Sequence, residues 1–287
     1  MDAALSALID QLQSARAAGQ PLDIRGGGSK AFYGEVPQGQ PLDARGLVGI
    51  SSYEPSELVV TARGGTPLAE LESVLAEKGQ CLPFEPPRFG PLGTVGGMVA
   101  AGLAGPARVS AGSVRDYVLG ATLLNGRGEL LHFGGQVMKN VAGYDVSRVL
   151  AGSMGIFGVI CEVSLKVLPA APATLTCRIE ADQASAIRRL NEWGGQPLPL
   201  NASAWWDGML VLRLAGAGAA VRSAFEKLGG ELIAPAAADP FWTGLRDHQD
   251  EFFLGAAKAV EGGATLWRLS VPATTQQLKL SGEQLVE

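Results

Sequence analysis

Three short stretches concentrate residue types that could bring main-chain amides onto a ligand. The first is Arg25-Gly26-Gly27-Gly28-Ser29-Lys30, directly after a strand-like run from Leu22 to Arg25. Consecutive amides at such a turn form a nest that favours an anion such as pyrophosphate. Ser29 adds a hydroxyl donor and Lys30 a charge; a flexible surface loop is the competing reading. The second runs from Gly93-Thr94-Val95-Gly96-Gly97 to Ala101-Gly102. Its small residues leave room for a flat ligand, and Thr94 is placed to cap a helix whose first amides point at phosphate. A close-packed small-residue helix would look the same. The third, Gly152-Ser153-Met154-Gly155-Ile156-Phe157-Gly158, enters a strand at Val159-Ile160 and could offer main-chain donors and acceptors to a nucleobase or flavin edge. Each turn is a weak signal alone; the three in this order are much stronger.

Other chemistries find less support. No GxxxxGK[ST] is present, so there is no P-loop, and no GxGxxG links a strand to a helix in dinucleotide-fold fashion. The net charge is −5 and basic residues are scattered singly or in pairs, which argues against a nucleic-acid footprint. The three cysteines, Cys81, Cys161 and Cys177, show no CxxC spacing, so disulfides and a zinc or iron–sulfur site are not expected. Cys161 and Cys177 lie in apolar runs and read as core thiols. The two histidines are far apart: His132 reads as structural in a strand, His248 as solvated on a polar helix beside Asp247, Asp250 and Glu251. No metal site and no catalytic residue is assigned. Arg246 could clamp a carboxylate, and Lys139 and Tyr144 could approach a cofactor, with structural roles as ready. The N-terminus lacks the form of a signal peptide, and no run of 18 apolar residues exists. The expected address is the cytoplasm, with peripheral docking on the inner face of the plasma membrane left open.

These turns need elements to hold them. Leu5 to Ala18 has helical spacing and stops at Gly19. Leu58 to Ala62 reads as a strand ending at Gly64-Gly65, after which Thr66 caps a helix from Pro67 to Lys78. Tyr117 to Asn125 and Glu129 to Phe133 form a hairpin. Asp145 to Leu150 is a short helix, and Val159 to Leu168 a strand with one buried face. Residues 169–173 are a linker. Beyond it the order is strand (Thr174 to Glu180), helix (Ala184 to Trp193), a hairpin around Asp207-Gly208, helix (Ala219 to Leu228) and strand (Glu231 to Ala234), which is a ferredoxin-like pattern. A helix near Trp242 to Phe253 and a strand at Ala264 to Val271 complete the reading. Trp205, Trp206 and Trp242 fit a domain core better than partner anchors.

The stretches RGGGSK, PLGTVGGMVAAG, SAGSVRDYVLGATLLNGRGELLHFG and NVAGYDVSRVLAGSMGIFGVICEVSLKVLP, within residues 25–169, resemble the FAD-binding domain of the vanillyl-alcohol oxidase and p-cresol methylhydroxylase superfamily. Within it, KNVAGYDVSRVLAGSMG is most similar to the GlcE-type subunits of bacterial glycolate oxidases. The resemblance implies an α+β chain: a PCMH-type FAD-binding domain over 1–170, with subdomains of about 1–88 and 89–170, then a ferredoxin-like α/β cap over 171–287. GlcE-type chains are longer, which implies that this sequence ends inside the cap. By analogy, Arg25, Gly26, Gly27, Gly28, Ser29 and Lys30 receive the pyrophosphate of FAD. Gly93, Thr94, Gly96, Gly97, Ala101 and Gly102 make the second contact. Gly112, Ser113, Val114 and Asp116 lie along the ribityl chain or flavin, and Gly155, Gly158 and Ile160 meet a ring edge. Relatives with covalent flavin often carry His where Ser29 stands, so the FAD is expected to be non-covalent.

The resemblance further implies an accessory flavin subunit. It would join a flavoprotein subunit that bears the substrate histidines and an iron–sulfur subunit, oxidising glycolate or another small 2-hydroxy acid. The alternatives are a self-sufficient FAD oxidoreductase, including the UDP-N-acetylenolpyruvoylglucosamine reductase type, and an assembly subunit with a vestigial flavin site.

Overall fold

The structure, a computed structural model, describes residues 2–136 and 144–287. In chain order its elements are α1 (Ala3–Ala17), β1 (Leu22–Arg25), β2 (Gln40–Asp43), β3 (Ile50–Glu54), β4 (Val59–Arg63), α2 (Leu68–Glu77), β5 (Gln80–Cys81), α3 (Val95–Ala101), α4 (Arg108–Ala111), α5 (Val114–Tyr117), β6 (Val118–Leu124), β7 (Leu130–Gly134), α6 (Val146–Val149), β8 (Val159–Lys166) and β9 (Leu168–Pro169). They continue with β10 (Ala173–Glu180), α7 (Gln183–Gly194), β11 (Leu200–Trp206), β12 (Met209–Gly216), α8 (Gly218–Leu228), β13 (Glu231–Ile233), α9 (Pro235–Asp247) and α10 (Glu251–Glu261). The chain divides into two compact units: residues 1–104 with 112–170, and residues 105–111 with 171–287.

The first unit is built on an antiparallel sheet of order β3-β4-β8-β6-β7, beside the parallel pair β1-β2 and the short pair β5-β9. Asp2 caps α1 by accepting from the Ala4 N–H at 3.1 Å. Leu8 and Leu12 of α1 pack with Leu42, Leu47, Leu124, Val159 and Cys161. A second core gathers Leu68, Leu71 and Leu75 of α2, Val95, Met98 and Val99 of α3, and Phe84 around Val60, Val163 and Leu165. Strand β8 therefore differs from the one-faced reading. Its residues 159–161 and 163–165 are all buried, because both of its faces are covered.

Thr66 is a second correction. Helix α2 has Pro67 at its N-cap and no side-chain cap. The Thr66 hydroxyl instead accepts from the Gly49 N–H and donates to the Gly49 carbonyl, both at 3.0 Å. The hydroxyl found a better partner in the β2–β3 connection than in its own helix.

The second unit carries an antiparallel sheet of order β11-β12-β10-β13. Asp182 caps α7 through the Ser185 N–H at 2.8 Å. The β11–β12 hairpin turns at Asp207 and Gly208, at φ 45° and 78°, the two positive φ values a tight primed turn requires. Cys177, Leu210 and Leu212 pack under Ala186 of α7, and Leu214 under Val221 and Ala224 of α8. Ala202, Ala204 and Val211 pack against Ala238, Trp242 and Leu245 of α9. The Trp242 Nε1–H donates to the buried Thr176 hydroxyl at 2.9 Å, and the Arg213 guanidinium lies 4.9 Å from its ring centroid.

Two expectations here are corrected. The single helix over Trp242 to Phe253 is two helices, broken at His248, whose φ of 55° ends α9. Residues 264–271 form no strand, and Leu266, Trp267, Leu269 and Val271 are exposed. Their alternating apolar pattern is real, but no neighbouring strand is hydrogen-bonded to them.

Candidate functional site

The first unit brings the glycine turns together by main-chain contact. A Cβ at Gly27 would overlap the Leu92 carbonyl, and one at Gly26 would sit 2.5 Å from the Thr94 hydroxyl. Gly93 faces the Ser29 hydroxyl, 3.6 Å from where its Cβ would be. The first turn is thus pressed onto the start of the second, and only glycine permits it. Thr94 caps α3 as its position suggested, accepting from the Gly97 N–H at 3.2 Å. Gly96 donates to the Gly64 carbonyl at 2.7 Å.

The second turn is tied to the third in the same way. Gly102 ends α3 in the left-handed region and packs on Gly152. Gly152 N–H donates to the Val99 carbonyl at 3.0 Å and Met154 N–H to that of Ala100 at 2.9 Å. Gly155 packs on Ile24 of β1, and Gly158 on the Leu124 carbonyl. Between them stands a compact capping box. The Asp116 carboxylate accepts from the Ser113 N–H at 2.7 Å and its hydroxyl at 2.9 Å, with Gly112 directly above. The Ser113 N–H holds the Asp116 carboxyl below the usual range, aided by the charges of Arg148 and Arg115.

Part of this cluster is open. Nothing lies within 4 Å of where a Cβ would stand on Gly28, Gly90 or Gly152. Among the described residues, none accepts from the N–H groups of Gly27, Gly28 and Ser29. Three amides without a main-chain acceptor, the Ser29 hydroxyl and the Lys30 ammonium are a donor set suited to a diphosphate. Other expected contact residues face inward. The side chains of Thr94, Ala101, Val114 and Ile160 are buried, so they shape the turns and leave only main chain to a ligand. Arg25 is exposed and paired with Asp23. Sequence reasoning missed Gly64, Gly65 and Leu92 as residues packed about the turns. A glycine pair after a strand was the available signal for Gly64 and Gly65; nothing local marks Leu92.

The candidates for proton transfer are dispersed. His132 Nδ1 lies 2.9 Å from the Thr122 hydroxyl on the sheet. His248 is not solvated, contrary to expectation. It stacks on Phe253 with ring centroids 3.8 Å apart, and burial, then the charge of Arg268, lowers its pKa to about 4. Arg246 forks onto the neighbouring Asp247 at 2.9 and 2.7 Å. Tyr144 is exposed, and Lys139 lies outside the described residues. Burial pushes the Cys161 thiol up to about 11. Among the described residues, no group of three His, Cys, Asp or Glu could hold a metal ion, and no helix is long and apolar enough to cross a membrane.

A family model described as FAD binding domain matches residues 4–134. Glycolate oxidase subunit GlcE of Escherichia coli (strain K12) is 47% identical over 98% of this chain and 77% of its own length. Glycolate oxidase subunit GlcD of Bacillus subtilis (strain 168) is 28% identical over 52% of this chain and 32% of that protein. A D-lactate dehydrogenase of Archaeoglobus fulgidus is 31% identical over 52% of this chain and 33% of its own. Among solved structures, alkyldihydroxyacetonephosphate synthase matches with a TM-score of 0.66 at 16% identity, over 84% of this chain and 56% of that one. At that identity the likeness speaks for the fold alone.

Proposed function

The chain belongs to the GlcE family of glycolate oxidase subunits, and from that membership we propose how it contributes to oxidation of glycolate to glyoxylate. Its cofactor is FAD, which supplies two-electron acceptance and one-electron release when bound. The observation that carries the reading is the open amide nest at Gly27, Gly28 and Ser29, held by the start of the second glycine turn. These amides and Lys30 take the diphosphate. The main chain of 93–102 and the capped turn at 112–116 flank the remainder, and the turn at 155–160 meets a ring edge. Ser29 stands where a histidyl link would form in covalent relatives, so the FAD is non-covalent.

The chain acts as an accessory flavin subunit beside a GlcD-type flavoprotein and an iron–sulfur subunit. Substrate proton abstraction falls to the GlcD-type partner; here His132 is engaged by Thr122 and His248 is packed on Phe253. Residues 1–170 are the FAD-binding domain, with subdomains of about 1–88 and 89–170, and residues 171–287 a ferredoxin-like cap. The sheet order β11-β12-β10-β13, with α7 and α8 packed on it, supports the cap assignment. Three free cysteines suit a reducing, cytoplasmic setting, with the complex docked on the inner face of the plasma membrane.

Anaerobic titration of the FAD-loaded chain with glycolate tests this division of labour. The flavin absorbance is expected to persist until the GlcD-type subunit is added. Bleaching by glycolate in the isolated chain would instead make it a self-sufficient oxidoreductase.

A further inference from the structure

Phe89 stands in a backbone conformation that its side chain disfavours. Its φ is 48°, as is that of Glu85, and Gly90 follows at 123°. A bulky residue in the left-handed region is an outlier, and it persists only where the surroundings over-determine it. Here they do. The Arg88 guanidinium lies 2.7 Å from the Glu72 carboxylate on α2, Phe84 is fully buried, and Pro86 and Pro87 are buried beside it. The result is a ring set edge-on to Phe32, with centroids 5.2 Å apart at 84°, and facing the Lys30 ammonium at 5.7 Å from its centroid.

Lys30 closes the turn whose amides at 27–29 have no main-chain acceptor among the described residues, and Gly28 and Gly90 both border open space. A lysine ammonium is a point charge on a flexible stem. An aromatic face within about 6 Å attracts it and narrows where it can go.

We propose that Phe89 is a positioning residue for the diphosphate of FAD: its ring holds the Lys30 ammonium beside the amide nest, and the strained 85–90 loop places the ring there. This rests on the reading that the nest receives the diphosphate.

A double-mutant cycle on the full chain tests it, with FAD affinity read by quenching of flavin fluorescence at low salt. Phe89→Leu keeps bulk but removes the π face, and should weaken FAD about two- to fivefold. Phe89→Tyr should restore the affinity. In a Lys30→Met background, Phe89→Leu should add nothing. Phe89→Gly frees the left-handed φ, so the thermal midpoint of the FAD-free chain should hold or rise while affinity falls. The proposal is overturned if Phe89→Leu leaves affinity unchanged or costs the same without Lys30. A fall in the Phe89→Gly midpoint that tracks its lost affinity also overturns it. A wild-type chain that takes no FAD overturns the site reading together with the proposal; wild-type binding with an additive cycle overturns only the role of Phe89.

Discussion

Glycine does different work in the two units. In the first, Gly27, Gly64, Gly65 and Gly158 stand where another stretch of main chain passes too close for any side chain. In the second, a Cβ at Gly230 would meet the Arg178 carbonyl at 2.6 Å, but Gly208, Gly229, Gly255 and Gly263 have nothing within 4 Å of a Cβ. There they set turns or merely interrupt helices, and packing is left to large side chains such as Trp242 and Leu245. Close main-chain approach is what a site made of amides needs. A unit held by side-chain interlock has no such need. Such close approaches concentrate in the unit that carries the candidate site.

The largest effect should come from the second unit's core. Trp242→Ala removes a buried ring, its hydrogen bond to Thr176 and its contact with Arg213. It should cost about 3–5 kcal/mol in denaturant melts of that unit, while FAD affinity in the first unit holds. A parallel loss of FAD would break the contrast.

Gly27→Ala comes next. Its Cβ would overlap the Leu92 carbonyl, a main-chain atom that cannot swing aside. Overpacking of this kind costs about 1–3 kcal/mol, which corresponds to roughly 5- to 150-fold in FAD affinity if the turn yields only on binding. Unchanged affinity would mean that the first two turns need not touch.

His248 offers a pH handle on the second unit. Its folded pKa of about 4 lies below the ordinary value of 6.5. Between those limits the unfolded chain takes a proton that the folded chain refuses, so stability falls as pH drops from about 6.5 toward 4. Asparagine tolerates the left-handed φ of 55° at this position. His248→Asn should therefore flatten the dependence of the thermal midpoint on pH, and parallel slopes would contradict the burial argument.

The smallest effect should be a gain. Gly255 lies inside α10 with open space around it, so Gly255→Ala should stabilise by roughly 0.5–1 kcal/mol. A loss there would contradict the open space around Gly255.

Much of this was legible in the sequence where the signal was local. The Thr94 cap, the Asp207-Gly208 hairpin and the short helix after Asp145 follow from residues a few positions apart. What failed depended on distant partners. Thr66 looks like a cap until Gly49 is placed beside it. His248 sits in a polar run, RDHQDEFF, and is half-buried because a sharp turn stacks it on Phe253. The 264–271 segment has a strand's pattern, but pattern cannot supply a neighbouring strand. In the site, the glycine turns announced themselves, whereas Leu92 contributes only a carbonyl, and nothing in the sequence marks the left-handed φ of 48° at Phe89.

The most direct test of the central claim is an absorbance spectrum of the purified chain, before and after acid precipitation. The account predicts flavin bands that pass into the supernatant, as expected for FAD held by amides with Ser29 in place of a histidyl link. A colourless chain that takes up no added FAD would contradict it, as would bands that stay with the precipitate.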